Sequence, residues 1–389
     1  MPIDRLRRVL MSSLSITVDS TEDVADRVNQ RARPHMSPKS AAPYQPILGT
    51  QKRSVRAIDL LRKIGEVTTP RSINLARLSA SWATRRYFWC IHDFLGPVTD
   101  PPFRLSDDAR RMERHQKTLL SDEFGVGFAA LLMEQLFSAS QVVDVEFALS
   151  DPVQYFDVGV VGPSKRRPDF LMWVPGGSIY VVECKGCQTR RSGVLNQLRR
   201  GMEQVPTIEI PGSVTPQLVI GTYLAARGTT VYIVDPPEED LAPDDLKETA
   251  GVERRGPRRY RISDEASFRT KLRRGSNLQY LRWISQHSTA ARLETSVGYR
   301  PERAAELPNA DLERVHTPVG DFVGVGAPLA PEFGYTGPTI FRGVEADLFR
   351  RIYNGDLESS AEMPGIPGED PTVSIGPDGT CLLIRNLPM

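Results

Sequence analysis

In RRPDFLMWVPGGSIYVVECKGCQ, residues 166–188, two acids and a lysine stand on or beside two apolar, β-prone runs: Asp169, Glu183 and Lys185. Charges in such a setting need a reason, because leaving water is costly for a charge that is neither paired nor ligated. The Pro-Gly-Gly between the runs predicts a hairpin. With the turn centred on Gly176, Asp169 stands opposite Glu183, and Leu171 opposite Val181. Strand alternation puts Lys185 on the face of Glu183, while Cys184, Val182 and Tyr180 point to the other. A slip of one residue would undo the arrangement.

Two carboxylates directly across a strand pair repel, and a divalent cation between them turns repulsion into ligation. Mg2+ (or Mn2+) suits the pair: Mg2+ takes hard oxygen donors, is held by one or two carboxylates, and keeps waters available for reaction. Lys185 beside it would orient or deprotonate a water and stabilise charge developing on a phosphate. This combination is suited to phosphodiester hydrolysis, with the metal as Lewis acid and source of hydroxide.

Pro168-Asp169, followed fourteen positions after Asp169 by Glu183-Cys184-Lys185, resembles the PD-(D/E)xK nuclease superfamily. The order helix, strands, helix, strand over residues 106–240, about a third of the chain, is similar to that family's restriction-endonuclease-like core. The resemblance implies an α/β fold with a mixed central sheet flanked by helices. It implies Asp169 and Glu183 as metal ligands, the backbone carbonyl of Cys184 as a further oxygen, and Lys185 as the catalytic lysine. It also implies an acid on the helix before the sheet. Glu123 is the choice, because Val126, Gly127, Ala130 and Leu131 follow at helical spacing; Asp122 and Glu134 are its rivals. Gln197 stands where some relatives carry a glutamine on the following helix, with Gln204 seven residues on. The tyrosine that accompanies it in some branches is missing, since position 201 is glycine.

The elements that must position these residues follow from periodicity. Residues 1–54 are polar, and RPHMSPKSAAPYQP reads as a mobile arm. Residues 55–105 form a helical region, where a packing support is favoured over a helix-turn-helix. In the core, a helix over SDEFGVGFAALLMEQLF precedes β-like runs at 142–149, 155–161, 169–174 and 178–184. A helix at 192–205 and the strands PQLVIGTYL and TTVYIVD complete it. Residues 241–389 form an α+β C-terminal accessory domain ending in a hairpin, VSIGPDGTCLLI, turned at Gly376–Gly379.

Lysine and arginine total 49 against 48 aspartates and glutamates, so any nucleic-acid surface must be local. Residues 165–200 supply one candidate, with eight basic side chains against Asp169 and Glu183 alone; residues 254–274 supply another, with nine against two. Four cysteines and five scattered histidines make neither a disulfide framework nor a zinc cluster. The single CxxC, Cys184 to Cys187, is a weak redox signal, and His115 is left outside the site. With no signal-peptide or membrane-spanning run, a cytoplasmic protein is expected. The expected function is metal-dependent hydrolysis of DNA, endo- or exonucleolytic, in a defence or DNA-processing system, with a protein partner held by the N-terminal helical or C-terminal region. The alternative is a catalytically silent nuclease-fold scaffold.

Overall fold

The chain joins its central sheet with its first strand. Helix α1 (Ile3–Met11) leads into β1 (Ser13–Ser20); α2 (Glu22–Asn29), capped by Thr21, follows, and β2 (Ala42–Pro43) and β3 (Gly49–Arg56) come next. In this computed structural model the described residues are 3–31, 40–68, 87–94, 99–148, 156–159, 167–174, 178–202, 204–205, 208–209, 216–236, 259–262, 265–296, 310–328, 338–361, 363, 370 and 372–386. The expectation of a mobile arm over 1–54 is overturned. Leu14, Ile16 and Val18 alternate inward along β1, which pairs with β3 over its whole length and runs parallel to a later strand. Of the Pro-rich stretch that suggested an arm, 33–46, residues 33–39 lie outside the described residues, and the rest includes β2 with Ala41 and Tyr44 buried.

Helix α3 (Ala57–Val67) represents the expected helical region 55–105, of which residues 69–86 lie outside the described residues. After α4 (Asp107–Arg111) comes the long helix α5 (Arg114–Phe137). Glu113 and Gln116 cap its start reciprocally, and Ser138, in the left-handed region at φ 54°, ends it. The run at 142–149 divides into β4 (Gln141–Asp144) and a short helix α6 (Val145–Ala148). The Val145 N–H bonds to the Asp169 carbonyl at 3.1 Å at this turn.

Strands β6 (Phe170–Trp173) and β7 (Ile179–Cys187) form the expected antiparallel pair; the turn residues 175–177 lie outside the described residues. Helix α7 (Arg191–Gly201) follows, then β9 (Gln217–Ala225) and β10 (Gly228–Asp235). The sheet order is β3-β1-β10-β9-β7-β6-β4, with β2 beside β10. The β7–β9 and β1–β10 pairs are parallel and the others antiparallel, so the sheet is mixed. The expected strand at 155–161 forms as β5 (Phe156–Gly159). It belongs to a separate small sheet with β8 (Ile208–Glu209) and β11 (Arg259–Ile262).

Helices α8 (Glu265–Trp283) and α9 (His287–Ser296) lead into a five-stranded antiparallel sheet. Its order is β12 (Glu313–Thr317), β13 (Gly320–Pro328), β14 (Thr339–Glu345), β16 (Thr380–Arg385) and β15 (Val373–Ile375), with α10 (Ala346–Tyr353) after β14. The terminal hairpin turns at Gly376–Gly379, where Gly379 takes φ +81°.

A buried cluster of charges ties this second sheet to the first. Arg62 and Lys63 on α3 meet Glu66 of the same helix, Glu134 near the end of α5, and Asp378 in the terminal hairpin. Arg62 also donates to Ser374 and Thr380, each at 2.9 Å. Burial and the Asp378 charge push Glu66 up to about 8. Against burial, Lys63 and Arg62 hold Asp378 far below the usual carboxylate range. A protonated Glu66 leaves two cations facing two anions, which is how a buried network avoids net charge.

Candidate active site

The site is built where β6 begins and β7 runs on alone. The ladder between them pairs Phe170 with Val182 and Leu171 with Val181, the register the hairpin predicts, and Asp169 stands one residue before it. Its carboxylate Oδ2 accepts the Cys184 N–H at 2.8 Å. Asp169 is thereby fixed at the middle residue of Glu183-Cys184-Lys185.

Glu183 is fully buried, and the Lys185 ammonium closes on its carboxylate as an ion pair. Beyond that lysine, the Glu183 carboxylate meets the Asp169 carboxyl, and no neutral donor among the described residues reaches it. Burial pushes Glu183 up to about 8; the Asp169 charge adds to the rise and Lys185 opposes it. Burial likewise raises Asp169, with Asp144 adding and Lys185 and the Cys184 N–H opposing. Burial works against the Lys185 charge, yet Glu183 and Asp169 together hold its pKa above the ordinary lysine value. An acid pair facing one lysine is the arrangement a surface ion pair at a strand end would not produce.

Two helices reach β7 closely because glycines stand at the contacts. On one face, a Cβ at Gly186 would lie 1.7 Å from the Ser121 carbonyl oxygen, and one at Gly125 would lie 2.9 Å from the Lys185 carbonyl. Helix α5 therefore lies directly on the strand end that carries the lysine. On the opposite face, a Cβ at Gly201 of α7 would lie 2.5 Å from Val219 Cγ1 and 3.0 Å from Glu183 Cγ. A tyrosine at this position has no room.

Helix α5 brings Asp122 to the site. Burial raises its pKa, the Lys185 charge opposes, and Asp169 adds, which places Asp122 within electrostatic reach of both. Glu123, the expected helix acid, is half-buried one position further round α5. The rival Glu134 is committed to the buried cluster, about 18 Å along the helix from Asp122. Asp144, opposite Phe170 at the end of β4, raises Asp169 and is the acid that sequence reading passed over. Its only signal was its place within the β-prone run at 142–149.

Gln197 and Gly201 share a face of α7, four residues apart. The Oε1 of Gln197 is buried without a hydrogen-bond partner among the described residues, so it is an acceptor held ready for a donor. Gln204 instead fixes backbone: its Nε2 donates to the Arg167 carbonyl at 2.8 Å and steadies the approach to Asp169. All four cysteines are buried and none is in a disulfide. Cys184 and Cys187 point to opposite faces of β7, and the Cys187 sulfur sits against Thr189 and the Arg190 carbonyl.

Among the described residues no three side chains of His, Cys, Asp or Glu are gathered to hold a metal. The donor set of Asp169, Glu183 and the intervening backbone carbonyl fits the kind of site Mg2+ uses, two carboxylates with water completing the shell. The buried Glu183 oxygens, which no neutral donor among the described residues reaches, fit it as well. No helix among the described residues is long and apolar enough to cross a membrane.

The chain matches no family model, no curated protein and no solved structure. Its chemistry is therefore read from the side chains themselves.

Proposed function

We propose that the protein is a divalent-metal-dependent nuclease that hydrolyses phosphodiester bonds of DNA. The observation that carries this is the meeting of Asp169, Glu183 and Lys185 at one strand end, with buried Glu183 oxygens that no neutral donor among the described residues reaches. Asp169, Glu183 and the Cys184 carbonyl would hold Mg2+ or Mn2+, and the bound ion supplies Lewis acidity and a water of lowered pKa. Asp169 is oriented for that task by the Cys184 N–H. Lys185, kept cationic by the two acids, stabilises negative charge on the phosphoryl oxygens. Asp122, and Gln197 one helical turn from the Gly201 that packs beside Glu183, are the groups offered to orient a water, and Glu123 is a further choice from the same turn as Asp122.

The test is incubation of wild-type and Lys185→Ala protein with plasmid and linear DNA in Mg2+, Mn2+ or chelator. Metal-dependent cutting that disappears in the variant supports the proposal. Equal cutting by both proteins sinks the site, and no cutting by either under any metal favours a binding scaffold, in which the Lys185–Glu183 pair is structural.

A further inference from the structure

We propose that the carboxyl end of β7 carries the path of the substrate strand, with Arg114 on α5 and Arg190 at the start of α7 as its phosphate contacts. The inference deepens the nuclease reading and rests on its choice of a nucleic-acid substrate. Helix α5 runs opposite to β7: Gly125 meets Lys185, Ser121 meets Gly186, and the Lys117 carbonyl accepts the Gln188 side-chain amide at 2.9 Å. The first turn of α5 therefore projects beyond the strand, beside the turn that ends β7. In open α/β sheets that end of the strands is where ligands bind.

Arg114, Thr118 and Asp122 follow one another at i, i+4 spacing, a row leading to the α5 acid that feels the Lys185 charge. Arg114 is exposed and lies about 12 Å along the helix from Asp122. Arg190 is exposed across the Gln188 contact. Neither arginine forms a salt bridge with a described residue, in contrast to their neighbours: Arg110 pairs with Asp107, and Arg191 pairs with Asp19 and Asp23 and covers the Tyr232 ring. Two open guanidiniums flank a site whose own residues are mostly acidic. An anionic polymer that places one phosphate at Lys185 and others along α5 satisfies both charges, and a compact anion does not.

The experiment measures binding of a fluorescein-labelled DNA duplex, and of its single strands, to full-length protein over a range of salt. Cleavage is silenced by Asp169→Asn and by chelator. Arg114→Ala and Arg190→Ala are each expected to lower the slope of log affinity against log salt by about 1, and the double variant by about 2. Arg53→Ala, on the edge strand β3 roughly 19 Å away across four strand spacings, is expected to leave it unchanged. A double variant with the unmodified slope, or a silenced parent that binds no DNA, overturns the proposal. A reduced slope together with an inability of active protein to cut DNA leaves the strand path standing and sinks the nuclease reading alone.

Discussion

The backbone N–H of Cys184 donates to the Asp169 carboxylate at 2.8 Å, so one strand holds its neighbour's acid in place between its own acid and its own lysine. The contact makes Asp169 a structural as well as a chemical residue. Asp169→Asn keeps an acceptor for that N–H, whereas Asp169→Ala leaves it unpaired at a cost of about 1–3 kcal/mol. Both variants are expected to lose cleavage, but only the alanine variant should show a lowered urea midpoint. Equal midpoints would remove the Cys184 contact from the account.

Asp122 and Glu123 are separated by the same logic. Asp122 feels Lys185 and Asp169 directly, so Asp122→Asn should lower kcat/KM roughly ten- to hundred-fold, the range for groups that support a metal site. Glu123→Gln is expected to have the smaller effect. Steady-state cleavage by the two variants decides which acid of α5 serves the site.

Gly186→Ala tests the close approach of α5 to β7. The added Cβ would meet the Ser121 carbonyl, a backbone atom that cannot swing aside, so the helix must move away from the lysine. Stability should fall by roughly 2–3 kcal/mol and cleavage should fall with it. A variant of parental stability would show that the contact is looser than the backbone path requires.

Stability should fall as pH rises from about 4.5 to about 8. Glu66 and Glu183 both titrate near 8 in the folded chain against an ordinary 4.5, so over that window the folded state binds more protons than the unfolded one. Asp378 works in the opposite sense. Its pKa is depressed, so its contribution is present above the ordinary aspartate range and is lost only in strong acid. Glu66→Gln removes one of the raised carboxyls and should flatten the fall, read as urea midpoints across the window. An unchanged profile would mean that Glu66 is ionised throughout.

Much of the site was legible because the hairpin register is local. Pro-Gly-Gly between two short runs fixes which residues are opposite, and the ladder Phe170–Val182 follows that register. The helix acid was legible only as a short choice among Asp122, Glu123 and Glu134, because helical spacing gives a face and not a distance. The commitment of Glu134 to Arg62 and Lys63 removes that rival, and the charges of Lys185 and Asp169 felt at Asp122 favour it over Glu123.

The N-terminal strands were misread for a related reason. The alternation LSITVDS is a strand signal, but nothing nearby in sequence supplies its partner: β1 pairs with β3 and, in parallel, with β10, more than two hundred residues away. What the sequence by itself determined was the register of β6 and β7 and the acids and lysine that share their end, since strand periodicity and a tight turn act over a few residues. Only the tertiary structure decided that Asp122 and Asp144 join them, that Glu134 does not, and that the C-terminal hairpin is bound to α3 through buried charges. Those outcomes depend on which helix packs on which strand, and no local rule of spacing contains that information.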